Sequence, residues 1–478
     1  MLFNSLQFAV FLPIVFLLYW MIPTKYRWIV LLLSSVYFYM SFNAKTIFLI
    51  LMTTLISYAS ALMMSKQQDT KKKKMILIGT TFVCLGVLFL FKYLNFFFDT
   101  LTALFSIVSI PIHPMTVTLM LPVGISFYTF QTLSYVMDVY HGKIEPERHF
   151  GVYAAYISFF PAISSGPIER AANLIPQIKH GNPFNYTEST YGLKLMAWGF
   201  FKKLVIADNL AVYVDLVYDH IFNYSGFALV LATLFFTVQI YCDFSGYSDI
   251  AKGVAHLFGI RLTQNFKSPY FSCSIKEFWS RWHISLSTWF KDYVYIPLGG
   301  NRCSKVRQAM NLLVTFLVSG AWHGASWTYI LWGTIHGVGQ VIENHLHLRP
   351  KQQLNKVQSL VRFMLTMSFV VLTWIFFRAR SLNEVIYLLT HFYHGISSPL
   401  GYLLGGLQSI GLSVEVLLRM TLFVVILFVY DYASLKCDVI EKISAKPFWI
   451  RYPIYYLIVM AVLFFHAVGE VSFVYFQF

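Results

Sequence analysis

Residues 311–342 read NLLVTFLVSGAWHGASWTYILWGTIHGVGQVI, 32 residues without one Asp, Glu, Lys or Arg. As one straight helix at 1.5 Å per residue this stretch would be roughly 48 Å long, well beyond a hydrocarbon core of ~30 Å. Its flanks are basic on both sides, with Lys305 and Arg307 before it and Arg349 and Lys351 after it. Basic loops mark the cytoplasmic side, so both ends are expected there and the stretch is expected to enter the membrane and return, with one long tilted helix as the alternative. The expected break is near Ser319-Gly320, which puts His323 just past it and at depth. Broken backbone in a bilayer is tolerated only where it faces protein or lines a cavity. The stretch therefore predicts an all-helical membrane protein built around an internal polar site.

The rest of the chain agrees. Apolar runs recur near residues 5–23, 28–43, 46–64, 75–93, 227–242, 360–377, 411–430 and 452–468. Of the 478 residues, 57% are hydrophobic and 12% charged, against about 45–50% and 25% in soluble domains. A soluble enzyme, a disordered chain and a disulfide scaffold are excluded. At ~20 residues per crossing, this content predicts roughly ten to twelve transmembrane helices in one multi-pass domain. Within that single domain, residues 1–112 are expected to form N-terminal helices, 113–345 a catalytic core and 346–478 C-terminal helices. Lys66 and Lys71 to Lys74 place their loop inside, Lys25 and Arg27 two spans earlier agree, and Lys436, Lys442, Lys446 and Arg451 place the last loop inside. Both termini then lie outside. The net charge of +15 is read as this loop bias and not as a nucleic-acid footprint. The five cysteines show no CxxC spacing, so neither a zinc site nor a disulfide framework is expected. The first twenty residues lack a basic n-region and a small-residue cleavage site, which reads as a retained span.

Polar residues crowd into 240–340. A clean span runs directly into Asp243-Phe-Ser-Gly-Tyr-Ser-Asp249. Residues 276–292 read KEFWSRWHISLSTWFKD, where Trp279, Trp282, Leu286 and Trp289 recur at helical spacing. The spacing predicts one amphipathic helix lying at the interface, with an aromatic belt.

An ionisable group inside a membrane is costly and is a functional candidate by default. Here those are Asp243, Asp249, His256, His283, His323 and His336. His323 stands in Ser-Gly-Ala-Trp-His-Gly-Ala-Ser-Trp. Gly on both sides lets backbone or ligand approach. A dry site disfavours imidazolium, which leaves a neutral ring able to accept a proton. His336, 13 residues on, would point to the other side of a continuous helix and reads as structural. His256 has no polar sequence neighbour and reads as structural too. Asp243 and Asp249 fit either a buried network or the polar lining of a pore. The HxH of His345 and His347 and the HxxH of His391 and His394 are weak signals, and no metal site is expected. GxSxG, a P-loop, GxGxxG and a Gly-Asp-Ser nucleophile are absent from the sequence.

Several longer motifs carry a resemblance. They are Cys242-Asp-Phe-Ser-Gly-Tyr-Ser-Asp-Ile-Ala-Lys-Gly253, Asn265-Phe, Pro269-Tyr, Phe278-Trp-Ser-Arg-Trp-His-Ile-Ser-Leu-Ser287 and Asp292-Tyr-Val-Tyr-Ile-Pro-Leu-Gly-Gly-Asn-Arg302. Pro122-Val-Gly-Ile-Ser-Phe-Tyr-Thr-Phe-Gln131, Trp322-His323-Gly324 and Trp374-Ile-Phe-Phe-Arg-Ala379 join them. Together they resemble the membrane-bound O-acyltransferase (MBOAT) superfamily over nearly the whole chain, and within it the branch that acetylates alginate and peptidoglycan. The related D-alanyl transfer proteins of teichoic acid modification share Arg281-Trp282-His283, but Ile296 to Arg302 favours the acetylating branch.

The resemblance implies a helical fold around a membrane tunnel in a bacterial inner membrane. It makes His323 the histidine on which activity depends and His283 a second histidine lining the same tunnel, with Trp282, Trp322, Asp243 and Asp249 as further lining. It implies acetyl-CoA as the cytoplasmic donor, with no bound cofactor. The acetyl group would leave on the outer side for a polysaccharide, through an extracytoplasmic acetyltransferase partner with its own Ser nucleophile. On this reading His323 takes the proton of an attacking hydroxyl and His283 positions the acyl group or donates to the oxyanion. Lys267, Arg281, Lys291 and Arg302 are the candidates for the CoA phosphates. The alternatives are D-alanyl transfer from a carrier protein and a polyprenyl-saccharide transporter. The second would need matching broken helices in two halves, whereas here the irregularity is concentrated in 240–340.

Overall fold

The computed structural model describes residues 1–110, 116–164, 166–346, 355–467 and 473–474. Arg349 and Lys351, which flank the apolar stretch, and His347 of the HxH pair lie outside the described residues. Every regular element among the described residues is helical. Among the described residues, five helices are long and apolar enough to cross a membrane: Ala44–Lys66, Thr70–Lys92, Phe227–Leu257, Lys356–Arg378 and Phe448–Phe465. A sixth crossing results if Pro399–Ser409 and Val414–Ser434, bent by 91° to each other, count as one. This is a polytopic membrane protein. Shorter apolar helices, among them Leu6–Met21, Leu94–Ile107 and Phe150–Ile163, accompany these.

The chain divides into two compact units, one of residues 1–193 and 251–263, the other of 194–250 and 264–478. The first is cored by aromatic side chains, Tyr19, Phe38, Tyr135, Tyr153 and Tyr156 among them. Their polar tips find partners: the Tyr153 hydroxyl meets Ser57 Oγ at 2.6 Å, and Gln131 donates to the Tyr156 carbonyl at 2.8 Å. Gln131 belongs to the Pro122–Gln131 motif, whose glycine has a local task. Gly124 starts the Ile125–Tyr140 helix at φ 75°, and a Cβ there would run into the Ile163 carbonyl oxygen. His256, expected to lack a polar neighbour, has one from a distant part of the sequence. Its Nδ1 lies 2.9 Å from Glu188 Oε2, and Glu188 also pairs with Arg261.

The second unit contains the apolar stretch that opened the sequence. It forms a helical hairpin with arms Lys305–His323 and Trp327–His345, each of 19 residues. At 1.5 Å per residue each arm is about 28 Å long, close to the ~30 Å of a bilayer core. The chain goes out and comes back as expected, so that Lys305, Gln308, Asn344 and His345 gather at one end around a cavity of about 270 Å3. The break is not at Ser319-Gly320, however, but at residues 324–326. Gly320 keeps helical geometry because its missing Cβ lets the arms touch: the Cα of Gly333 would lie 3.1 Å from a Cβ on Gly320, and the Tyr329 carbonyl closer still. The turn falls where Gly324 is extended (φ −164°, ψ 156°) and Ser326 caps the return arm by accepting from Thr328 N at 3.3 Å.

Candidate active site

Residues 276–292 do not form one helix. Ile275–Arg281 ends and Ile284–Phe290 begins at His283, which sits in the left-handed region at φ 43°, ψ 54°. A non-glycine residue rarely adopts that conformation, and where one does it is held by its surroundings. Asn265 does the holding. Its carbonyl accepts from Ile284 N at 2.9 Å, and its Oδ1 accepts from the Ser285 hydroxyl at 2.7 Å and from Ser285 N at 3.3 Å. The break turns the His283 ring into the protein, where it is fully buried with Phe244 edge-on at 4.6 Å. The stripe of Trp279, Trp282, Leu286 and Trp289 is buried as well, so it is core and not the expected interfacial belt. Trp282 packs 5.0 Å from Phe266 and from Trp374.

His323 is the last residue of the outgoing arm and is 2% exposed. Aromatic rings enclose it: Trp322 at 5.0 Å, Trp332 at 5.0 Å and Phe377 at 5.3 Å, all edge to face. The two candidate histidines thus share a neighbour, because Trp322 is also 6.1 Å from His283. His336 belongs to the same aromatic cluster through Trp332, at 5.1 Å, but its ring is used up. Trp279 Nε1 donates to its Nδ1 at 3.2 Å, and its Nε2 meets the Thr373 hydroxyl at 3.0 Å. With Nδ1 accepting, the remaining proton of the neutral ring sits on Nε2. His336 is a satisfied core histidine, but not because a continuous helix turns it away from His323: the helix breaks between them and both rings meet Trp332.

A cavity of about 500 Å3 opens beside His323. The turn residues Gly324, Ala325 and Ser326 line it with Thr328 and Tyr329, and charged residues from two other helices close it. Arg378 Nη2 is 2.7 Å from Asp215 Oδ1 and 3.3 Å from Asp219 Oδ1, and Arg380 Nη2 is 2.7 Å from the same Asp219 oxygen. This cavity lies at the turn end of the hairpin, and the Lys305–His345 cavity at the other. His323 is buried among aromatic rings one residue before the first lining residue of that cavity at the turn, Gly324.

Asp243 and Asp249 are held in ion pairs. The π-helix Phe201–Ala207 carries Lys202 and Lys203 inward, where Gly199 and Gly246 let two backbones come close. Lys203 Nζ is 2.6 Å from Asp243 and 2.8 Å from Asp208, and Lys202 Nζ is 2.7 Å from Asp249 and 2.9 Å from the Ser245 hydroxyl. Asp243 accepts in addition from Val474 N at 2.7 Å. Asp243 is buried in this network, and Asp249 stays partly exposed. Of the four basic candidates for phosphate binding, Lys267 and Arg281 are backbone neighbours. Arg281 is paired with Glu277 at 2.6 Å, its carbonyl accepts from Lys267 N at 2.9 Å, and the Lys267, Lys291 and Arg302 side chains are exposed. The cation that lines the cavity at the basic end is Lys305.

Sequence reasoning missed Lys202, Lys203, Asp208, Asp215, Asp219 and Arg380, and gave Arg378 no role. The signal for the lysines was two adjacent cations inside an apolar run, which only a carboxylate partner can make tolerable.

A sequence model described as "MBOAT, membrane-bound O-acyltransferase family" matches residues 31–388. The chain is 39% identical to the probable alginate O-acetylase AlgI of Pseudomonas aeruginosa over 388 residues, 80% of this chain and 73% of the relative. It is 34% identical to the peptidoglycan O-acetyltransferase of Helicobacter pylori over 420 residues, 81% of this chain and 78% of the relative. A teichoic acid D-alanyltransferase of Bacillus subtilis is 31% identical over 224 residues, 45% of this chain and 57% of that one.

Proposed function

Because this chain belongs to the membrane-bound O-acyltransferase family, we propose that it moves an acetyl group from cytoplasmic acetyl-CoA across a bacterial inner membrane toward the hydroxyls of an extracytoplasmic polysaccharide of the alginate or peptidoglycan kind. The observation that carries the proposal is His323: a buried imidazole whose next residue lines the 500 Å3 cavity at the turn of the hairpin. The likeness over about four-fifths of this chain to two relatives named as O-acetylating, against under half of it for the D-alanyl one, supports the acetyl donor.

An alcohol is a poor nucleophile at neutral pH, and a positioned imidazole makes it a better one by taking its proton as attack proceeds. The alcohol oxygen bonds to the thioester carbonyl carbon, the C–S bond breaks, and the proton passes from His323 to the departing thiolate. CoA leaves as the free thiol and the acceptor as its acetyl ester. His283 orients the acyl carbonyl and donates a ring N–H to its oxygen as charge develops. The left-handed backbone that aims His283 inward is what supports this role. Aromatic walls keep water from the thioester. The basic end of the hairpin, with Lys305, faces the cytoplasm and receives CoA, and the turn end faces outward.

The acceptor polymer is served through a partner, an extracytoplasmic acetyltransferase with its own nucleophilic serine. The sequence has no GxSxG elbow and no Gly-Asp-Ser motif, and position-specific acetylation of a sugar needs convergent polar contacts around the ring. The test is reconstitution in liposomes with acetyl-CoA on one side and polymer on the other, with and without the secreted partner. Acetylation is expected to need the partner. Full-rate polymer acetylation by this chain alone would refute the relay.

A further inference from the structure

We propose that Phe473 and Val474, docked on Asp243, seal the acyl site and hold water away from the thioester beside His283. This rests on the acetyltransferase reading, which places the thioester between His283 and His323, and it assigns two positioning residues to that reaction.

Phe473 and Val474 follow the apolar helix Phe448–Phe465 in sequence, and both are buried, at 1% and 4% exposed. They lie against the middle of the 31-residue helix Phe227–Leu257, at Asp243, Phe244 and Tyr247. Asp243 is the anchor. One of its oxygens is 2.6 Å from Lys203 Nζ, and the other accepts from Val474 N at 2.7 Å. The ion pair fixes the carboxylate, and a hydrogen bond to an ionised acceptor is stronger than one between neutral groups. With Val474 held there, the Phe473 ring rests 4.5 Å from that of Tyr247 and 6.0 Å from that of Phe244. Phe244 in turn meets the His283 ring edge-on at 4.6 Å and that of Phe266 at 5.0 Å. Phe473 is thus one ring removed from His283.

A carboxylate at membrane depth draws water unless protein groups satisfy it. Lys203 and the Val474 N–H satisfy Asp243, and Phe473 backs Phe244 with apolar surface. Losing either contact opens a wet path behind the ring that abuts His283. Water arriving there competes with the alcohol. Its oxygen bonds to the thioester carbonyl carbon, the C–S bond breaks, and the water proton passes through His323 to the thiolate, giving acetic acid and the CoA thiol. Excluding water suppresses this loss. Phe473 and Val474 act through Phe244 and Asp243, so their role is positioning.

The experiment measures release of radiolabelled acetate from acetyl-CoA by the purified full chain, with no acceptor present. Phe473→Ala should raise the release rate about tenfold over wild type. Val474→Pro removes the N–H that Asp243 accepts and should raise it as far. Val474→Ala keeps that N–H and should raise it less. A gain in hydrolysis separates the seal from a merely structural role, because damage to the fold lowers every rate. Thermal unfolding shows which variants are folded, and should either Phe473→Ala or Val474→Pro fail to fold, the other decides. Release no faster than wild type from the folded variants would overturn the proposal. Equal gains from the proline and alanine variants would overturn the docking on Asp243. Adding His323→Ala to Phe473→Ala should abolish the gain. A gain that survives it would instead overturn the reading of His323 as the base of an acetyltransferase.

Discussion

The ring of His283 lies 6.1 Å from that of Trp322, and Trp322 is the chain neighbour of His323. Two histidines 40 positions apart thus face one tryptophan, one from a left-handed break between short helices, the other from the tip of a hairpin arm. Neither position is a stable choice for a lone core histidine. The first holds a backbone conformation that costs free energy, and the second ends a helix on glycine inside an aromatic wall.

His283 therefore permits a test that separates backbone from ring. His283→Gly should be more stable than His283→Ala by about 1 kcal/mol, because only the alanine variant keeps a Cβ in the left-handed region. Both should lose most acetyl transfer. Thermal unfolding in detergent and turnover of radiolabelled acetyl-CoA report the two effects. A glycine variant with near wild-type activity would show that His283 serves the fold alone.

Lys203 should be indispensable to stability and its charge replaceable only together with that of its partners. Its ammonium sits between two carboxylates in a site where all three side chains are nearly inaccessible. Lys203→Met leaves buried uncompensated charge, worth about 3–5 kcal/mol. Adding Asp243→Asn and Asp208→Asn should recover a large part of the lost thermal stability. If the triple variant is no more stable than Lys203→Met, the network does not act as a charge unit.

The hairpin makes a topological prediction. In a cysteine-free background, single cysteines at Val306 and Leu346, both exposed near the basic end, should react with impermeant thiol reagents from one side of the membrane only, and that side should be the cytoplasm. Labelling of the two from opposite sides would mean that the arms form one crossing. Gly320→Leu should abolish the hairpin's packing, since a side chain there meets the Tyr329 backbone and Gly333.

Much of this was legible in the sequence, and the failures have specific causes. Length and flanking charge were enough to make a return within 311–342 the expectation. They placed the turn four residues early because a Ser-Gly pair reads as a helix breaker, whereas here Gly320 serves interhelical contact and Gly324 makes the turn. Trp279, Trp282, Leu286 and Trp289 keep perfect helical spacing across a helix that breaks, so periodicity could not reveal the left-handed His283. Asn265, which holds the break, was only part of a motif. The pairing of Lys203 with Asp243, or of Arg378 with Asp215, joins residues 40 and 163 positions apart, and no local pattern encodes such a partner. The burial of His323 among aromatic rings was legible because its glycine and tryptophan neighbours are local.

The central claim is that His323 takes the proton of the attacking hydroxyl, and His323→Ala tests it most directly. The variant should insert and remain folded, by its size-exclusion profile in detergent and its thermal unfolding, and should transfer radiolabelled acetyl from acetyl-CoA roughly 10²–10⁴-fold more slowly than wild type. His336→Ala is the control. It should lose stability by about 1–3 kcal/mol through the abandoned Trp279 and Thr373 groups, and much less activity per folded molecule. Transfer by folded His323→Ala within a few-fold of wild type would contradict the account.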